Sequence, residues 1–333
     1  MTDELRTALQ PRLSALLGGA VRVDRLALLA GGASMEAWAV DAQTPQGPLP
    51  LLLRRGAGGR IYRDALSLEQ EHRVLQAAFA GGVKVPRPCG YLGELLGREA
   101  YLMERVQGEA VGRRLVQKPD FAAARKALPG QMAQELARIH QIDPGPLDFL
   151  PGSGAPSPLR YGLETLTAQL DSLGAPHPAL ELGLLHLRTH LPFDGPRVVC
   201  HGDFRVGNFM VGPEGLVAVL DWEFAHLGDP REDLAWPMVR NWRFRMDHLR
   251  LGGIAGPEEF VDRYAALSGT KVTLAEIHPF EILGAVRWAV GALTQARRHL
   301  SGEERSVELA VLGRLAAEYE HEVLSLLDEK GER

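Results

Sequence analysis

Asn208 and Asp221 lie at the same end of a short predicted β-hairpin. Pairing of Val211 with Leu216 across the turn sets the register of the two strands. In that register Asn208 lies opposite Val219, two residues before Asp221. Amide and carboxylate oxygens are ligands that Mg²⁺ accepts alongside phosphate oxygens and water. The hairpin therefore predicts a magnesium site at its open end.

Asp203 lies five residues before Asn208, in the loop after the predicted strand 197–200. From there it can face the same end of the hairpin without binding the metal. One aspartate that accepts a hydroxyl proton, followed by an asparagine and a second aspartate that hold Mg²⁺, is the acid set of a kinase site. Taken singly, each residue is also a common turn former beside Gly202 or Gly207. The ordered set in its strand context favours phosphoryl transfer, in which the protein positions groups and stabilises charge.

Composition limits the classes of protein to which the chain can belong. It has 333 residues, a net charge of -5, 45% hydrophobic and 24% charged residues, which is typical of a soluble globular protein with about two domains or lobes. The mild acidity disfavours nucleic-acid binding, and the lack of a long apolar run disfavours a membrane span. Asp3 and Glu4 disfavour a signal peptide, and two cysteines provide no disulfide framework, so we expect a cytoplasmic protein.

The predicted elements change in character near residue 105. Before it lie one helix at 64–79 and five strands at 21–29, 35–40, 50–55, 87–92 and 100–104. After it come helices at 121–127, 129–141, 161–173, 178–190, 257–267, 279–299 and 306–328, with strands at 197–200, 209–211 and 216–222. A strand-rich first part and a helix-rich second part predict an α+β fold.

Several separated motifs resemble the aminoglycoside phosphotransferase family. They are HGDFRVGN at 201–208, DWE at 221–223 and GDPREDLA at 228–235, supported by Arg54 and by the segments 71–75, 103–104 and 136–140. The DWE motif and the strand 51–54 resemble most the branch that is also found fused to acyl-CoA dehydrogenases.

The resemblance implies a bilobal protein-kinase-like fold. Residues 1–103 would form a small antiparallel-sheet nucleotide-binding lobe, 104–109 the hinge, and 110–333 a mainly helical lobe that binds the acceptor. It also implies ATP and Mg²⁺ as cofactors and a small hydroxylated molecule as acceptor. Asp203 would be the catalytic base, with Asn208 and Asp221 as the metal ligands.

The N-terminal part of the chain offers no lysine that could bind the nucleotide phosphates, because no lysine precedes Lys84. Kinases place a lysine on the third strand and pair it with a helix glutamate. Arg54 occupies the matching strand and is the predicted substitute, since arginine keeps its charge and grips phosphate with two donors. Glu71 lies on the inward stripe of the helix 64–79 and Glu69 does not, so Glu71 is the predicted partner.

Two further segments are candidates for nucleotide binding. The turn 30–34, with Gly32 and Ser34, can offer backbone N–H groups and a hydroxyl to phosphate. The same residues are also typical of an ordinary hairpin turn that binds no ligand. The backbone at Glu104, in the predicted hinge, would meet the adenine.

The acceptor pocket should lie among the C-terminal helices, where each candidate residue also suits a core or surface role. The candidates are Glu223, Arg240, Asn241, Trp242, Arg287 and Trp288. Arginines outnumber acids in 236–250, which favours an anionic or neutral acceptor over a polycation. By the resemblance His201 is a buried support of the catalytic loop, while Asp229 and Asp233 cap and anchor the following helix.

Two other functions compete with a small-molecule kinase. A nucleotide-binding pseudokinase is suggested only by the arginine at position 54, and the intact acid set disfavours it. A metal-dependent hydrolase using Asp203 and Asp221 accounts for the acids but not for the N-terminal lobe. The oligomeric state, the acceptor and a preference for ATP over GTP are not determined by the sequence.

Overall fold

The computed structural model describes residues 2–29, 35–56 and 65–329. Its first part is a five-stranded antiparallel sheet in the order β1-β2-β3-β5-β4. The strands are β1 (Arg22–Leu28), β2 (Met35–Thr44), β3 (Gly47–Gly56), β4 (Pro88–Glu94) and β5 (Glu99–Glu104), and the helices are α1 (Thr2–Leu17) and α2 (Leu68–Ala80). The predicted α+β fold with a small antiparallel sheet is confirmed.

Helix α1 was not predicted, and it covers part of the sheet. Its buried side chains Leu5, Leu9 and Leu13 recur every four residues and lie on one face. They form a hydrophobic cluster with strand residues such as Val40 and Leu53. The segment also contains polar residues and Pro11, so the sequence does not indicate this apolar stripe. The stripe is recognised only from its packing against the sheet.

Helix α2 begins later than predicted. Ser67 caps it, accepting a hydrogen bond from the Gln70 N–H while the Gln70 side chain accepts from the Ser67 N–H. Glu71 and Leu75 both lie on the buried face, as the sequence periodicity indicates.

The second part of the chain is mainly helical. It contains α3 (Gly112–Gln117), α4 (Ala122–Ile139), α5 (Pro158–Ser172), α6 (Pro178–His190), α7 (Pro230–Ala235), α8 (Glu258–Ser268), α9 (Leu274–Leu300) and α10 (Val307–Asp328). Helix α4 was predicted as two helices, but its buried face, including Leu128 and Met132, continues past Pro129 and holds both halves in line. Among the described residues, no helix combines the length and apolar character that crossing a membrane requires.

Two short sheets interrupt the helices and carry the motif residues. Strand β6 (Val198–Cys200) pairs with β9 (His226–Gly228), and β7 (Phe209–Gly212) pairs with β8 (Gly215–Val219).

The predicted register of the β7–β8 hairpin is wrong by one residue. Val211 does pair with Leu216, but an irregularity next to it places Phe209, not Asn208, opposite Val219. The carbonyl of Asn208 instead accepts a hydrogen bond of 2.8 Å from the N–H of Leu220. A bulge adds one residue to β8. Across the hairpin, Asn208 therefore lies beside Leu220, one residue from Asp221 instead of the predicted two.

The packing of α1 leads to a first prediction. Replacing Leu9, which is fully buried, with alanine removes apolar contacts and leaves a cavity against the sheet. We expect the free energy of unfolding in urea to fall by about 3 kcal/mol. The matched control is Leu17→Ala, at the exposed end of the same helix, where the change should stay below about 1 kcal/mol. Equal losses in the two variants would contradict the assigned packing of α1.

Candidate active site

Asp203 lies in the loop between β6 and β7, and three donors hold its carboxylate. Oδ1 accepts hydrogen bonds from Arg205 Nε at 2.9 Å and from Trp236 Nε1 at 2.6 Å. Oδ2 accepts one from Asn208 Nδ2 at 2.5 Å. The carboxylate therefore has a defined orientation at the end of the hairpin.

The backbone before Asp203 is held by another carboxylate, that of Asp233. It accepts hydrogen bonds from the N–H groups of His201 at 2.6 Å and Gly202 at 2.9 Å. Gly202 has φ +80°, and a Cβ there would lie 2.2 Å from the carbonyl oxygen of Phe224, so no other residue suits this position.

His201 and Asp229 also have structural contacts. His201 is fully buried, and its Nε2 lies 2.9 Å from the Leu220 carbonyl oxygen. Asp229 caps α7 by accepting from the Arg231 N–H, and it forms an ion pair with the Arg231 side chain. Asp233, one turn into α7, secures the segment before Asp203 rather than the end of the helix.

Asn208 is buried. Among the described residues, the hydrogen bonds of its side chain are made by the amide nitrogen. Nδ2 donates to the Asp203 carbonyl at 3.0 Å as well as to the Asp203 carboxylate. The amide oxygen is therefore the part of Asn208 that can bind a cation.

Asp221 follows β8 by two residues and faces the sheet lobe. Its Oδ1 accepts a hydrogen bond of 2.6 Å from Arg54 NH1, and Arg54 NH2 lies 3.4 Å from Glu71 Oε1. Arg54 thus links the predicted helix partner to a predicted metal ligand. Arg55, the next residue on β3, points to the opposite face and pairs with Glu36.

The charges around Arg54 set the protonation of the acids near it. Burial by itself would raise the pKa of Asp221. The charge and the hydrogen bond of the Arg54 guanidinium outweigh burial and lower the pKa. Burial raises the pKa of Glu71. Burial, followed by the charges of Asp221 and Glu71, raises the pKa of Glu223 to about 8. Three carboxyl groups around one arginine can accommodate further positive charge.

The remaining nucleotide candidates are placed only in part. Glu104 ends β5 with an exposed side chain, and its N–H donates to the Arg87 carbonyl at 2.9 Å. Gly32 and Ser34 lie outside the described residues.

The arginines expected to line an acceptor pocket are mostly paired. Arg250 binds Glu281 with two contacts of 2.6 Å, Arg243 donates to the Met238 carbonyl, and Arg240 pairs with Asp247 and Glu322. Their positive charge is largely neutralised, so the excess of arginine in 236–250 is no guide to the acceptor.

Trp288 is another candidate for the acceptor pocket. It is buried and stacks on Tyr319 at 4.0 Å, which assigns it to the core between α9 and α10.

A cavity of about 140 Å³ lies between α5, α9 and the segment that runs from β9 through α7. Its walls are mainly apolar, including Leu163, Phe280 and Leu283, and Arg287 contributes a cation. Glu232 is the carboxylate among the described residues that line it, and it lies 3.4 Å from His226.

Sequence reasoning missed Arg205 and Trp236, which both contact Asp203. Arg205 lies two residues after Asp203, and its guanidinium stacks on Trp242 at 4.0 Å. Trp236 lies three residues after Asp233, on the same face of a helical turn, and this spacing was the available signal.

The sequence profile of the phosphotransferase enzyme family matches residues 25–280. This chain belongs to that family. The matched span includes Arg54, Asp203, Asn208 and Asp221.

A curated relative of this phosphotransferase is the acyl-CoA dehydrogenase family member 11 of Gallus gallus. It is 28% identical over 288 residues, which cover 80% of this chain and 37% of the relative. The chain thus spans about a third of the length of that relative, and the expected similarity to the branch fused to acyl-CoA dehydrogenases is confirmed.

Solved structures show the same kinase-like fold. A protein from Ralstonia eutropha JMP134, provisionally named an aminoglycoside phosphotransferase, has a TM-score of 0.73 and 21% identity, covering 97% of this chain and 98% of its own. The GDP complex of aminoglycoside 2'-phosphotransferase-IIIa has a TM-score of 0.61 and 14% identity, with coverage of 96% and 98%.

The contacts of Asp233 predict an acid-sensitive contribution to stability. Burial alone would raise its pKa, but the hydrogen bond and charge of His140, with His201 and His226, lower it to about 2 from 3.8. A depressed pKa stabilises the fold above the unfolded value, and this contribution is lost as the pH falls from about 4 toward 2. It amounts to about 2 kcal/mol.

Urea unfolding of the full chain between pH 5 and pH 2.5 measures this loss. The Asp233→Asn variant should be less stable at pH 5 and should show a flatter decline with acid. An unchanged slope in the variant would contradict the role of Asp233.

Proposed function

We propose that this phosphotransferase uses ATP and Mg²⁺ to transfer the γ-phosphoryl group to a hydroxyl of a small molecule. The observation that carries the proposal is the arrangement around the β7–β8 hairpin. Asp203 and Asn208 are hydrogen-bonded to each other, and Asp221 reaches the cation Arg54 of the sheet lobe. Such an arrangement supports in-line transfer between a nucleotide held by one lobe and an acceptor held by the other.

The donors at the hairpin suit Mg²⁺. The Asn208 amide nitrogen is occupied by Asp203, which leaves its oxygen as a ligand, and the Asp221 carboxylate remains 43% exposed. Two hard oxygen donors, completed by phosphate oxygens and water, match the preference of this ion. When bound, Mg²⁺ would neutralise charge on the phosphates.

Asp203 is proposed as the catalytic base. Its carboxylate would accept a hydrogen bond from the acceptor hydroxyl, orient the oxygen toward the phosphorus and take the proton as the new bond forms. The donors Arg205, Trp236 and Asn208 hold the carboxylate in place, so little reorganisation is needed at the moment of transfer.

The nucleotide is proposed to lie between the lobes. Arg54, kept in place by Glu71, would bind its phosphates, and the segment 104–109 would be the hinge between residues 1–103 and 110–333. Since the N–H of Glu104 already donates to Arg87, its carbonyl would serve the adenine. Gly32 and Ser34 stay proposed phosphate contacts. The GDP complex of a structural relative supports nucleotide binding in this fold.

The acceptor is proposed to be neutral or anionic. Aminoglycosides are polycations and favour acid-lined pockets, whereas the cavity beside α5 and α9 is mainly apolar and contains Arg287. Its carboxylate, Glu232, is engaged by His226 and by the Asp229 N–H. Consumption of ATP in a panel of hydroxylated metabolites, antibiotics and hydroxyacyl thioesters identifies the acceptor class. Reaction with cationic antibiotics alone would contradict this part of the proposal.

Asp203→Ala tests the proposed base. Turnover should fall by about 10²–10⁴-fold, because no other group is positioned to take the hydroxyl proton. The thermal shift caused by Mg²⁺ with a non-hydrolysable ATP analogue should persist, since Asp203 acts on the acceptor. Asp194→Ala, at an exposed position nine residues earlier, is the matched control. Full activity of the Asp203→Ala chain would remove Asp203 from the mechanism.

Arg54→Ala tests the proposed phosphate cation. Loss of charge-assisted contacts should raise the KM for ATP by about 10- to 100-fold. Arg54→Lys should recover part of the loss, since the charge returns without the two-donor geometry. Arg55→Lys is the control, because Arg55 lies on the same strand and faces away from the cleft. An unchanged KM in Arg54→Ala would place the phosphates elsewhere.

A further inference from the structure

Trp236 connects the proposed base to the helical lobe. It is 9% exposed, and its indole N–H donates a hydrogen bond of 2.6 Å to Asp203 Oδ1. A hydrogen-bond partner stabilises a buried indole N–H, and a carboxylate is a strong partner. The contact joins residues 33 positions apart, so the fold and not the local sequence creates it.

The ring of Trp236 is held on several sides. It packs against Trp242 with centroids 5.8 Å apart, and the Arg287 guanidinium lies 4.9 Å from its centroid. On α9, Gly284 makes room for this segment, because a Cβ there would lie 2.8 Å from Val239 and 3.7 Å from the Trp236 ring. The indole therefore has little freedom to rotate away from Asp203.

The same short segment holds the catalytic loop twice. Asp233 binds the N–H groups of His201 and Gly202, and one turn later Trp236 binds the side chain of Asp203. The first contact places the backbone of the loop, and the second sets the direction of its carboxylate.

The other two donors to Asp203 are less suited to this task. Arg205 has a long side chain that is 21% exposed, and Asn208 is proposed to bind the metal. Among the three, Trp236 is the uncharged, buried donor that has no proposed role in binding the metal.

We propose that Trp236 is a positioning residue, whose indole N–H sets the orientation of the Asp203 carboxylate toward the acceptor hydroxyl. This inference rests on the proposed function, in which Asp203 is the base. Trp236 also lines the cavity beside α5 and α9, and the double variant below separates that contact from its effect through Asp203.

The variant Trp236→Phe removes the donor and keeps most of the ring. In the full chain with MgATP, and with the acceptor from the panel or with water as acceptor, kcat should fall about tenfold. This corresponds to the loss of one charge-assisted hydrogen bond. The KM for ATP should stay within about twofold, a separation that a general loss of folding would not produce.

Two comparisons make the test specific. Trp38→Phe, on β2, removes another buried indole donor that contacts a carboxylate, that of Glu36, and should leave kcat unchanged. In an Asp203→Ala background, Trp236→Phe should cause no further loss of ADP formation, because both changes act through one carboxylate. A further tenfold loss in the double variant, or a wild-type kcat in Trp236→Phe, would overturn the proposal.

A measurement without turnover separates this inference from the proposed function. The chain has five tryptophans, and NMR of the ¹⁵N-labelled protein resolves their indole N–H groups. The signal that disappears in Trp236→Phe should shift in Asp203→Ala, whereas the Trp288 signal should not. A wild-type chain that forms no ADP from MgATP with any acceptor of the panel would contradict the proposed function, and an unshifted Trp236 signal would contradict the contact itself.

Discussion

The position of Asp203 depends on one buried carboxylate, that of Asp233. The loop before Asp203 passes through Gly202 with φ +80°, a conformation without regular hydrogen bonds of its own, and Asp233 supplies acceptors for two successive N–H groups. Because Asp229 caps the start of α7, the Asp233 carboxylate projects from a helix that is fixed in place. The hairpin, the Asp203 carboxylate and the contact from Trp236 are arranged around this anchor.

A second constraint is electrostatic and joins the two lobes. Arg54 lies between Glu71 of the sheet lobe and Asp221 of the hairpin, and the three side chains are buried to different degrees. An arginine suits this place because its guanidinium offers several donors and stays charged in the presence of buried surroundings. Lysine presents a compact charge, so the use of arginine changes the geometry of the contact and not its sign.

Much of the site followed from residue types and spacing. The order of Asp203, Asn208 and Asp221, the choice of Glu71 over Glu69 and the opposite facing of Arg54 and Arg55 are local properties of strands and helices. Errors arose where distant packing intervened. The bulge beside Val211 shifted the hairpin by one residue, and the helix through Pro129 continued because both of its halves face one core.

By itself the sequence determined the α+β class, the family motifs and the candidate side chains for phosphoryl transfer, because periodicity and short spacing act within a few residues of each other. Only the tertiary structure decided that α1 covers the sheet, that the arginines at 240, 243 and 250 are paired, and that Trp236 donates to Asp203. Those contacts join residues that the chain separates and that burial and charge bring together. Their partners are chosen by the shape of the whole core, which no local pattern encodes.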